Sequence, residues 1–140
     1  MANFAEAYKR LSVKEGGYVN DSDDAGGETY KGISRRYNPN WDGWIMIDAY
    51  KKRYKGNALR KKLDADTQLQ KLVERKYKIG YWDVFELDSV PNQLIAFQMF
   101  DTNVNCGQYA AIKFAEKALG RKITGRWSLS LLDELVKIDN

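Results

Sequence analysis

The stretch from Pro91 to Gly107, PNQLIAFQMFDTNVNCG, most narrows what this chain can fold into. It opens on a proline, suited to the first turn of a helix, and closes on a glycine, which stops one. Between them Leu94, Ile95, Phe97, Phe100 and Val104 make a strongly apolar helix. Such a helix is stable in water only when other elements cover it. The spacing therefore predicts a central buried helix with further helices around it. Residues 3–14 read as one, with Asn3 and Glu6 in a capping-box pattern and Phe4, Tyr8 and Leu11 on one face. Residues 41–55 read as another, anchored by Trp41, Trp44, Ile45, Asp48 and Tyr54, and Gly56-Asn57 breaks it. Asp66 caps a helix running to about Ile79, closed by Gly80, and Tyr81–Phe85 follows as an aromatic connector. Residues 109–119 and a segment capped by Ser128, with Leu129, Leu132, Leu135 and Val136, complete the set. Ile33–Tyr37 reads as one helical turn before Pro39.

Residues 18–32 depart from this pattern and read as an irregular loop or short hairpin, with Gly26-Gly27 at a turn. The expected fold is all-α with one small irregular or β lobe near residues 18–32. A length of 140 residues fits a single domain, 1–140. No apolar run approaches the ~20 residues of a membrane span. The start, MANFAEAYKRL, lacks the pattern of a secretory signal.

The chain has no histidine and one cysteine, Cys106. Serine and cysteine triads need an imidazole base, and catalytic zinc usually needs a histidine ligand. An enzyme of this composition works with carboxylates, with no metal and no organic cofactor. Net charge is +4, which favours anionic partners. Lysine and arginine alternate with acidic residues and cluster on no single predicted face, so nucleic acid is not the expected partner.

The carboxylates converge in EGGYVNDSDDAGGETYKGIS, residues 15–34. Glu15 extends the series 4, 8, 11 and falls at the end of the first helix, toward the core. Partial burial and the negative end of the helix both raise its pKa, which suits a general acid. Asp24 follows nine positions later and Thr29 five beyond that. The intervening glycines let the backbone double back, so that Asp24 faces Glu15. One protonated and one ionised carboxyl across a bond is the equipment of glycoside hydrolysis, and Thr29 can help hold the attacking water. Asp21 and Asp23 are rivals to Asp24. A calcium loop fails on spacing: counted from Asp21, the fifth position is Ala25 and the twelfth Gly32.

The segment resembles the signature of glycoside hydrolase family 108, lysozyme-like N-acetylmuramidases: EGGY, then D, then GGxT, then GI. The resemblance continues in Tyr77–Trp82 and in FDTNVNCG, residues 100–107. It implies a lysozyme-like fold with the acid at Glu15, and peptidoglycan glycan strands as the substrate of a monomer. By the same resemblance residues 1–85 hold the acid and the cleft loop, and 86–140 correspond to the family's helical C-terminal region. There the chain lacks the glutamine and aspartate of relatives, and the reading is that residues 108–140 complete the fold. Tyr18, Tyr30 and Trp82 are candidates for packing on sugar rings, or for the core. Asp101 and Asn105, one turn apart, either line the floor of the cleft or fasten the first helix. A lytic transglycosylase, which needs only the glutamate, and a non-catalytic wall-binding or secretion-accessory protein are the alternatives.

Overall fold

The computed structural model describes residues 1–11, 16–21, 23 and 27–138. The chain divides into two compact units, residues 12–76 and residues 1–11 with 77–140. The described residues are mainly helical, with seven α-helices and one small sheet, in line with the expected class.

In the unit of residues 12–76, three short strands, β1 (Tyr18–Asn20), β2 (Glu28–Tyr30) and β3 (Ile33–Ser34), form an antiparallel sheet in the order β1-β2-β3. The expected helical turn at 33–37 is instead the third strand. Lys31 and Gly32 take φ of 47° and 85°, the pair of positive angles that a two-residue hairpin turn requires. That turn folds Ile33 back onto Tyr30. Helices α2 (Gly43–Lys51), α3 (Gly56–Ala65) and α4 (Thr67–Tyr77) follow. On α2 the buried positions are Trp44 and Ile47, whereas the expected anchor Ile45 is exposed. Helix α3 is a second correction: Gly56-Asn57 opens a helix where a break was expected. Gly56 itself takes φ of +56°, which glycine allows without strain, and Leu59 and Leu63, four residues apart and both buried, hold the helix that follows. Asp66 caps as expected, its Oδ1 accepting from the Leu69 amide at 2.9 Å.

In the other unit, α1 (Phe4–Arg10) starts where predicted, and Asn3 Oδ1 accepts from the Glu6 amide at 3.1 Å. The reciprocal half of the box comes from elsewhere. The Asn3 amide donates to Gln93 Oε1, and Gln93 Nε2 donates back to the Asn3 carbonyl. Leu11 ends α1 in an extended conformation, with ψ 119°. The helix expected over residues 3–14 thus ends at Arg10, and Glu15 lies outside the described residues. Past α4, one π-helical turn (Lys78–Trp82) contains Gly80, which was expected to stop the helix, and two 3₁₀ turns (Asp83–Phe85, Leu87–Ser89) follow.

Helices α5 (Gln93–Cys106), α6 (Gln108–Ala118) and α7 (Leu129–Val136) complete this unit. Asn92 and Ser128 cap α5 and α7 through their side chains. The core is built round rings: Phe4, Trp82 and Phe100 meet pairwise edge-to-face, with centroids 5.5–5.6 Å apart. The tail after α6 is tied by Glu116, buried on α6. Its Oε1 accepts from the Thr124 and Gly125 amides, and its Oε2 from the Thr124 hydroxyl. Gly125 takes φ of +71°, where a side chain strains the backbone, and a Cβ there would displace the exposed Tyr109 ring. Leu131, Leu132 and Leu135 of α7 are buried, whereas Leu129 and Val136, also expected on the apolar face, are exposed.

Candidate active site

The hairpin that carries the motif is clamped by one carboxylate. Tyr18 stands opposite Tyr30, and Asn20 opposite Glu28. Strand alternation puts Tyr18, Glu28 and Tyr30 on one face of the sheet, and Val19, Thr29 and Ser34 on the other. The Glu28 side chain is 12 % exposed. Its Oε2 accepts from the Tyr18 hydroxyl at 2.6 Å and from Lys51 Nζ at 2.7 Å, and its Oε1 from Arg35 Nη1 at 3.0 Å. Arg35 also forks onto Asp48 of α2 through two bonds of 2.7 Å, and its guanidinium lies over the Trp44 ring. The cluster joins β2, the end of β3 and α2 into one network.

Electrostatics fixes the charge of each member. Burial works to raise the Glu28 carboxyl, but the bonds from Lys51, Tyr18 and Arg35 outweigh it and leave it below the usual glutamate range. Asp48 is likewise lowered, first by the bonds from Arg35. Lys51 is raised, first by its bond to Glu28. The Tyr18 hydroxyl is pushed up, first by burial and then by Glu28. An ionised carboxylate gripped by three donors has no proton to give near neutrality. Glu28 is thus an anchor of the hairpin, not its acid.

Of the residues singled out in the sequence, Glu15 and Asp24 lie outside the described residues. Thr29 is half-buried on the sheet face away from Glu28. The rings behave differently from sugar platforms. Tyr30 has no exposed surface; its hydroxyl donates to Asp64 Oδ1 at 2.8 Å and accepts from Gln70 Nε2 at 2.9 Å. Trp82 is also fully buried, and its Nε1 donates to Asp88 at 2.8 Å. With no free face, neither ring can stack on a ligand, and both are core residues. Tyr18 retains 8 % exposure, with its hydroxyl held by Glu28. Asp101 and Asn105 serve each other: Asn105 Nδ2 donates to the Asp101 carbonyl at 2.9 Å and its Oδ1 at 3.1 Å. The buried polar group of α5 is instead Asn103, which donates to the Tyr81 carbonyl at 3.1 Å. Its spacing from Met99 and Phe100 marks that face. For the Glu28 cluster the sequence offers only the Asp48–Lys51 helical spacing. Among the described residues no group of three metal-ligating side chains forms, and no helix is long and apolar enough to cross a membrane.

A mainly helical chain with one small antiparallel sheet, its strands at Tyr18–Asn20, Glu28–Tyr30 and Ile33–Ser34, is of the lysozyme-like class. A sequence profile described as glycosyl hydrolase 108 matches residues 8–107. The chain belongs to that family, which makes it a glycoside hydrolase with a glycan substrate. Among solved structures it is similar to Brucella abortus SagA, at 25 % identity and a TM-score of 0.56, covering 96 % of this chain and 69 % of that one. No curated protein matches.

Proposed function

We propose that the chain is a peptidoglycan N-acetylmuramidase, cleaving the β-1,4 bond between N-acetylmuramic acid and N-acetylglucosamine. Glu15 protonates the leaving oxygen. Asp24, with Thr29 helping to hold the water, activates that water on the opposite face of the sugar. This arrangement inverts the anomeric centre, and inversion calls for carboxyls roughly 6.5–9.5 Å apart. The observation that carries the reading is the family match across residues 8–107, which takes in the whole of residues 15–34. Residues 15–34 contain two glutamates, and the described one, Glu28, is held ionised by three donors, which supports the choice of Glu15 over it. Asp21 Oδ1 accepts from the Asp23 amide at 2.9 Å, so it is engaged in holding a turn.

The test is digestion of purified peptidoglycan by wild type, Glu15→Gln and Asp24→Asn, followed by turbidity and mass spectrometry. Glu15→Gln is expected to abolish lysis, and Asp24→Asn to slow it by about 100-fold, the usual weight of a general base. Products should carry reducing muramic ends. Undiminished lysis by Glu15→Gln would remove the proposed acid, and anhydro-muramic ends would remove Asp24 as base.

A further inference from the structure

Seven of the chain's 23 lysines and arginines fall within residues 51–62, a span with no acidic residue. The sequence expectation of evenly mixed charge fails over this span, and the end of α2 and the body of α3 bring three of the seven to one groove. Lys51 is engaged by Glu28. Lys52, Arg53 and Lys62 instead line a groove of about 420 Å³, shared with Ala49, Tyr50 and Tyr54. Among the described residues none of these three cations forms an ion pair. Lys52 acts only at longer range on Asp48. Lys62 Nζ lies 5.2 Å from the centre of the Tyr54 ring. The Tyr50 and Tyr54 rings stand 6.4 Å apart and tilted by 42°, and the Tyr50 hydroxyl is fixed by Asp66 at 2.6 Å.

Three like charges around one concavity, none of them in an ion pair among the described residues, outnumber the nearby carboxylates Asp48 and Asp66 and leave a positive potential that an anion would relieve. The tyrosines supply amphipathic walls of the kind that contact sugars. The volume suits a small group within the usual range of ligand pockets, about 300–1,000 Å³. Rings tilted by 42° do not offer the parallel faces that stack successive bases, which weighs against a nucleic acid. We infer that this groove is a subsite for an oxyanion carried on a glycan strand. A sugar lies against Tyr50 and Tyr54, and its phosphate or carboxylate sits among Lys52, Arg53 and Lys62. The inference rests on the glycan-hydrolase reading and adds to it a binding place and a charge preference.

The test is co-sedimentation with purified sacculi at rising salt. One preparation retains its phosphate-bearing polymers, a second is stripped of them, and a short duplex DNA is titrated in parallel. Wild type is compared with Lys52→Gln/Arg53→Gln/Lys62→Gln and with a charge-matched control, Lys9→Gln/Lys117→Gln/Lys137→Gln. All six positions are exposed, so packing is preserved, and equal melting temperatures verify this. The groove variant should bind sacculi about tenfold more weakly with a flatter salt dependence, and the control within about twofold of wild type, from three surface contacts of ordinary strength. Loss on both sacculi identifies carboxylates as the anion, and loss only on the phosphate-bearing preparation identifies phosphate. Equal losses in both triple variants, or loss of DNA binding without loss of sacculus binding, would overturn the inference. If wild type binds through the groove yet releases no muramic ends, the subsite stands and the muramidase reading falls.

Discussion

Replacing Glu28 by glutamine should loosen the motif hairpin without changing its shape. The amide keeps one acceptor oxygen where the carboxylate had two, and it carries no charge. Either Arg35, or Lys51 and Tyr18, then faces an NH₂ group. Each charge-assisted bond is worth about 1.5–3 kcal/mol, and removing one partner of a buried pair costs about 3–5 kcal/mol. Those values need discounting here. The Lys51 and Arg35 side chains are 34 % and 35 % exposed and can rehydrate, and Arg35 keeps its fork on Asp48. The expected loss is about 2–3 kcal/mol, a fall in melting temperature of about 6–10 °C for a chain of this length. The pH dependence has a definite sign. The folded Glu28 carboxyl lies below its unfolded value, so its stabilisation is complete above the unfolded pKa, about 4.3, and is lost as pH falls through the folded value. The gap between wild type and Glu28→Gln should therefore be widest near neutrality and close in acid. Calorimetry across that range measures it, and a double-mutant cycle with Lys51→Met should return a coupling of about 1 kcal/mol or more. A melting temperature within about 1 °C of wild type, or a gap constant from pH 7 to pH 3, would refute the clamp.

Two further outcomes follow from the other unit. Phe100→Ala removes a ring packed edge-to-face on Phe4 and Trp82 and should cost about 3–5 kcal/mol by chemical denaturation. Glu116→Gln should lower the melting temperature and speed proteolysis within residues 120–128, because it weakens the tie to Thr124 and Gly125. That tie is also acid-labile. The Glu116 carboxyl is held below its usual value, first by the Thr124 hydroxyl, so protection from protease should fade as pH drops through the folded value.

What the sequence made legible was local. Asn3 and Ser128 each accept a bond from an amide three residues on, so their cap signals survive any tertiary arrangement. Gly107 ends α5 with φ of +94°, a conformation set by its own backbone. The motif of residues 15–34 identified the family because its spacing is a property of the chain alone.

Tertiary structure decided what depends on distant neighbours. Gly56-Asn57 reads as a stop until Leu59 and Leu63 are seen to be buried, and their burial holds α3 directly after Gly56. Tyr30 and Trp82 have the composition of sugar platforms, but a ring binds only with a face left open, and packing closes both faces. Glu28, Arg35, Asp48 and Lys51 look like scattered surface charges in the sequence; folding brings donors and acceptors within 2.6–3.0 Å and fixes their ionisation. The physical reason is range: caps and turns act over three or four residues, whereas burial and charge pairing act through space.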